Sequence, residues 1–99
     1  GQPLELLPER DPTTLRAGDT LHLRLLRAGA AVPHQPVGLV AEGARTATAH
    51  RTDAAGRLAL PLPRAGRWLV RATVLRRGDG RAVDWESEFA TLTVAVGVR

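Results

Sequence analysis

The chain contains no cysteine, which excludes disulfides and thiol chemistry and leaves the redox compartment open. It also lacks lysine, asparagine, isoleucine, methionine and tyrosine, and all 14 of its basic residues are arginine. Serine occurs once, at Ser87, so there is no Gly-x-Ser-x-Gly nucleophile elbow. A glycine loop of the kind that cradles phosphate is missing as well. No apolar run approaches the roughly 18 to 20 residues that span a bilayer as a helix. Aromatic residues are scarce: Trp68, Trp85 and Phe89 are the whole set. A large ring can bury about 150 to 250 Å², so these three are expected to dominate the core.

What is present is one domain's worth of sequence, residues 1–99. The chain opens Gly-Gln-Pro rather than with Met, which reads as a domain excised from a longer protein or a mature product whose signal segment is gone. The Ala, Arg, Leu and Gly bias suggests a GC-rich bacterial genome. The formal charge of +4 is spread along the chain among ten carboxylates. With no basic run and no aromatic stacking motif beside it, this charge does not predict nucleic-acid binding.

Apolar and polar residues alternate along most of the chain, the period of a strand whose side chains face opposite ways in turn. Residues 20 to 27, TLHLRLLR, set Leu21, Leu23 and Leu25 on one face, and residues 57 to 62, RLALPL, do the same with Leu58, Leu60 and Leu62. Further strands are predicted near 3 to 7, 36 to 42, 45 to 51, 67 to 76 and 84 to 96, seven in all. Turn residues separate them at short intervals, among them Ala17-Gly18-Asp19, Asp53 through Gly56 and Gly78-Asp79-Gly80. Residues 12 to 17 have room for one helical turn, and no ten-residue stretch has helical periodicity.

In the turn at 53 to 56, Asp53 is expected to accept from backbone N–H groups while Gly56 supplies a positive φ. Pro61 and Pro63 cannot donate to a ladder, which puts their strand at an edge or at its end. The pattern predicts an all-β, seven-stranded Ig-like sandwich. Its expected core is Leu21, Leu23, Leu25, Leu58, Leu60, Trp68, Val70, Val74, Phe89, Leu92 and Val94.

The last hairpin carries a conflict. A turn centred on Asp79 and Gly80 pairs Val74 with Trp85, Val70 with Phe89 and Arg71 with Glu88. The apolar parity then changes from odd positions (Trp85, Phe89) to even ones (Leu92, Val94, Val96). A bulge near Ala90 and Thr91 is expected to restore the inward direction.

The segments LRAGDTLHLRLLRAGAAVPHQPVGLVAEG, TDAAGRLALPLPRAGRWLVRA and DWESEFATLTVAV resemble the C-terminal domain of a bacterial periplasmic family of unknown function. That family is related to carboxypeptidase-regulatory and transthyretin-like sandwiches, and some members are associated with nickel or cobalt uptake. The resemblance spans residues 4 to 96. It implies a transthyretin-like β-sandwich in a periplasmic or extracellular setting, acting as an accessory or interaction domain. An adhesin-type Lys–Asn isopeptide cross-link is excluded, because both residue types are absent.

Three constellations have chemistry to weigh. His22, His34 and His50 are the nitrogen ligands that nickel, cobalt or copper would favour, but none stands at the i, i+2 or i, i+4 spacing of a site visible in sequence. Asp84, Glu86 and Glu88 share a strand face, a spacing compatible with a hard cation or with the paired carboxylates of a carbohydrate-active domain. Arg71, Arg76 and Arg77 are expected to neutralise them as surface ion pairs. Arg77-Gly78-Asp79 spells an adhesive tripeptide that is also ordinary turn chemistry. The function expected is a non-catalytic binding or spacer module without a cofactor, whose partner is another protein or other domains of its own parent chain. A histidine metal site and a carbohydrate-active domain are the alternatives.

Overall fold

The computed structural model describes residues 4 to 77 and 85 to 99, with side chains described for 4 to 74 and 88 to 99. It is an all-β sandwich of two antiparallel four-stranded sheets. The first sheet contains β1 (Leu4–Pro8), β2 (Thr20–Arg27), β3 (Ala30–Ala31) and β6 (Arg57–Pro61). The second runs β5 (Thr48–Arg51), β4 (Pro36–Ala41), β7 (Gly66–Arg77) and β8 (Trp85–Val96). Eight strands replace the seven expected, because the two-residue β3 is too short to produce a periodicity. A 3-10 turn at Pro12–Thr14 is capped by Asp11, whose Oδ1 accepts from the Thr13 N–H at 2.9 Å and from its hydroxyl.

Strand alternation builds the core directly. Leu4 and Leu6 of β1, Leu21, Leu23 and Leu25 of β2, and Leu58 and Leu60 of β6 face Val37 and Leu39 of β4, Trp68, Val70 and Ala72 of β7, and Ala90, Val94 and Val96 of β8. Burying a Leu or Val contributes roughly 1.5 to 3 kcal/mol, so this two-faced pattern is the main driving force of the fold. Trp68 closes one part of the core, with its Nε1–H donating to the Arg64 carbonyl at 3.0 Å. The Arg64 guanidinium lies 5.9 Å from its ring centroid. Val74 and Leu92, both expected in the core, pack against it while partly buried.

β3 and β6 share one side of β2, and the handover occurs at Leu25. Its N–H donates to the Gly56 carbonyl at 2.8 Å and its carbonyl accepts from the Val32 N–H at 3.0 Å. Gly56 has φ +75°, and a Cβ there would lie 2.9 Å from the Leu25 carbonyl oxygen, so both conformation and space require glycine. Asp53 does what its place in the turn predicts, accepting from the N–H groups of Ala55 at 2.8 Å and Arg57 at 2.9 Å. Among the described residues β6 pairs only with β2, and it ends at Pro61, as its prolines imply.

The β7–β8 hairpin differs from expectation in register. Val70 pairs with Leu92, Arg71 with Thr91, Ala72 with Ala90, Thr73 with Phe89 and Val74 with Glu88, in an unbroken ladder without a bulge. Relative to the expected pairing the strands are offset by three residues. An odd offset turns the described β8 side chains to the opposite face. Phe89 therefore points outward and is 67% exposed instead of lying in the core, while Glu88 points inward. The parity conflict is resolved by burying Ala90, Val94 and Val96 and giving up the phenyl ring. The Gly78-Asp79-Gly80 turn, the Arg77-Gly78-Asp79 tripeptide and the side chain of Trp85 lie outside the described residues.

Candidate functional site

The three histidines occupy separate elements. His22 is on the outer face of β2, His34 is in the loop before β4 with φ 54°, and His50 is on β5, where its Nε2 is 2.8 Å from the Thr48 hydroxyl. A groove beside His22 is also lined by Arg10, Asp11 and Asp19. Both carboxylates are already engaged: Asp11 by Thr13, and Asp19 by the Arg16 N–H of its own loop at 2.8 Å and by the C-terminal Arg99. Among the described residues, no group of three or more His, Asp and Glu side chains converges as a metal ion would require.

Of the three carboxylates on the last strand, Asp84 and the side chain of Glu86 lie outside the described residues. Glu88 does not pair with Arg71 as expected. The guanidinium of Arg27 reaches it from the other sheet in a two-point contact, Nε to Oε2 at 2.8 Å and Nη2 to Oε1 at 2.9 Å. Both residues stand at inward positions where the core ends, so the pair closes the space between the sheets. The three-residue offset is the cause, since it moves Glu88 away from the outer face that carries Arg71.

The strand edges differ in how they are protected. Edges with free N–H and C=O groups invite further strands, and proteins blunt them with charge, proline, bulges or shortness. β1 carries Glu5 and ends in Pro8, β6 carries Arg57 and Pro61, and β3 and β5 are two and four residues long. β8 is twelve residues long, and from Phe89 to Val96 its sequence FATLTVAV contains no charge, no proline and no glycine.

The direction of the β8 backbone groups follows from the ladder. Glu42 donates its N–H to the Arg67 carbonyl at 2.8 Å, so the odd residues of β7 bond to the β4 side. Hydrogen-bonded and non-bonded pairs alternate in antiparallel sheets. The even residues of β7 therefore bond to β8, and the odd residues of β8 direct their N–H and C=O to the open side. Gly97, next in this odd series, uses both: its N–H donates to the Leu15 carbonyl and its carbonyl accepts from the Ala17 N–H, each at 2.8 Å. The chain thus adds a short extended piece to this edge at its end. Among the described residues, the ladder to β7 is the only backbone pairing β8 makes between Phe89 and Ala95.

Phe89, Thr91, Thr93 and Ala95 accordingly present four pairs of strand-forming groups beside an exposed phenyl ring. An extended polypeptide satisfies such groups one residue in two. Sequence reading missed these residues because it placed Phe89 in the core. The signal available was the parity conflict near Ala90, read there as a bulge.

A family model described as a domain of unknown function (DUF4198) matches residues 1–76. That span ends within β7, so β8 lies beyond it. Neither the curated proteins nor the solved structures provide a match.

Proposed function

The chain belongs to the DUF4198 family of domains of unknown function, and from that premise we propose that it is a non-catalytic binding module that takes up an extended polypeptide segment along β8. The carrying observation is the open edge from Phe89 to Ala95, which continues directly into the strand addition made by Leu15 to Ala17 at Gly97. Backbone hydrogen bonds would supply affinity, and the Phe89 ring a side-chain contact on the outer face. The setting we assign is the periplasm or cell exterior of a bacterium, on the resemblance to periplasmic transthyretin-like and carboxypeptidase-regulatory sandwich domains. In that setting the domain serves a larger protein as an accessory.

The test is titration of the ¹⁵N-labelled protein, held dilute, with a synthetic peptide of residues 87 to 95 as the probe. Amide shifts concentrated on Phe89, Thr91, Thr93 and Ala95 are expected; shifts scattered elsewhere, or none, would end the reading. The same resemblance links such domains to nickel or cobalt uptake. Adding nickel, cobalt or copper while following the ring resonances of His22, His34 and His50 decides that role, and flat shifts would remove it.

A further inference from the structure

We propose that the outer face of the first sheet binds an organic carboxylate between Arg24 of β2 and Arg57 of β6. The site lies on the other sheet from the β8 edge and does not depend on the strand-addition reading.

The backbone brings two like charges together there. Arg24 and Arg57 stand directly opposite each other in the β2–β6 ladder, on the face away from the core. The neighbouring Leu25 donates its N–H to the Gly56 carbonyl, whereas Arg57 donates its N–H to the Asp53 carboxylate and accepts the Asp53 N–H at its carbonyl. Arg24 and Arg57 are therefore a non-hydrogen-bonded pair, the closer of the two antiparallel spacings, with Cα atoms about 4.5 Å apart. Like charges directly opposite each other in this way are destabilising.

The chain offers one carboxylate to the two guanidiniums. Glu9, which continues β1, reaches across β2 and sets its Oε2 3.6 Å from the Arg57 Nε. Glu5, the other carboxylate of this face, stands one row away opposite Leu26 and joins no ion pair among the described residues. Arg24 makes no hydrogen bond or ion pair among the described residues, and its Nε is the one buried side-chain polar atom among them without a partner. A buried donor left unmet costs stability, and its persistence in a folded protein calls for an ion or ligand that completes it. Its Nη groups are not buried, so the side chain is held at Nε and presents its end to solvent.

One guanidinium is thus in excess, and a single negative charge balances it. Guanidinium groups take planar oxyanions through paired N–H donors, which suits a carboxylate lying between the two arginines. Leu7 selects an organic ligand. It faces Arg24 from the β1 side and is 42% exposed, so it offers an apolar contact to the body that carries the carboxylate. Inorganic phosphate has nothing to place on Leu7. The Arg57 side chain is 59% exposed, so solvent weakens the contact and a dissociation constant of about 1 to 10 mM is expected.

The test is titration of the ¹⁵N,¹³C-labelled protein with sodium benzoate, with sodium phosphate and sodium chloride as parallel arms at matched ionic strength. Benzoate is expected to move the Nε–Hε signals of Arg24 and Arg57 and the methyl signals of Leu7 along one saturable curve, with phosphate weaker and chloride inert. Arg24→Met and Arg57→Met keep a long stem on an outer face, and each should weaken benzoate about tenfold while circular dichroism stays unchanged. Benzoate should also raise the urea midpoint of the parent protein and leave that of Arg24→Met where it was.

Tighter binding of phosphate than of benzoate would overturn the choice of an organic carboxylate. Equal shifts in all three salts would mark general screening of surface charge and overturn the site. Silent Nε–Hε signals at Arg24 and Arg57 in the parent protein, or an Arg24→Met variant that binds benzoate as the parent does, would overturn it too.

Discussion

Thr52 is 2% exposed, the one buried polar side chain among the described residues, and its surroundings explain why a hydroxyl is kept there. The hydroxyl accepts from the Gln35 N–H and donates to the Val32 carbonyl, both at 2.8 Å, while the Thr52 N–H donates to the Gln35 carbonyl at 3.0 Å. One side chain thus ties the loop carrying His34 to the start of the Asp53 turn. Thr52→Val preserves the shape and leaves a buried donor and acceptor unmet, a loss of about 1 to 3 kcal/mol. Urea denaturation should register that loss and show it largely restored in Thr52→Ser. A Val variant as stable as the parent would mean the loop is held by other contacts. Nothing in sequence marks Thr52 as different from the other threonines, because its burial depends on a loop folded back from seventeen residues away. Asp53 and Gly56, by contrast, were legible, since their roles are settled within four residues of chain.

At the scale of elements, the β7–β8 hairpin is where local and distant preferences compete. Turn residues suggested one register, and Leu92, Val94 and Val96 required another. The second prevailed because burying the even residues of β8 against the whole sandwich outweighs burying Phe89 alone. Beyond Ala72 the hairpin has no partner in β4, and Arg27 contacts it from the opposite sheet through Glu88. Their side chains are 33% and 20% exposed, so solvent screens the pair while its two-point geometry holds it. A double-mutant cycle with Arg27→Gln and Glu88→Gln should yield a coupling energy of about 0.5 to 1 kcal/mol, reduced by salt. Zero coupling would show that the hairpin needs no tether across the sandwich.

For the molecule as a whole, two capping carboxylates contribute to the way stability changes in acid. Asp11 is held below its usual 3.8 by the Thr13 hydroxyl and then the Thr13 N–H. Asp53 is held below the same value by the N–H of Arg57 and then that of Ala55. A lowered native pKa means the unfolded chain takes up protons first as pH falls. The contribution is therefore complete above the unfolded value and is lost as pH drops through the lowered ones. Denaturation midpoints should hold steady from about pH 6 to about pH 5 and then decline toward about pH 2. The double variant Asp11→Asn, Asp53→Asn should flatten that decline, and a parent-like decline would assign it to other carboxylates.

The sequence by itself determined the all-β class, the Leu faces of β2 and β6, the buried place of Trp68 and the Asp53 to Gly56 turn. Each depends on period-2 alternation or on contacts a few residues apart. Only the tertiary structure decided that Phe89 faces water, that Glu88 turns inward to Arg27, and that β8 forms an edge of its sheet. These depend on register and strand order, which are chosen by summed burial across both sheets and leave no mark on any single stretch of chain.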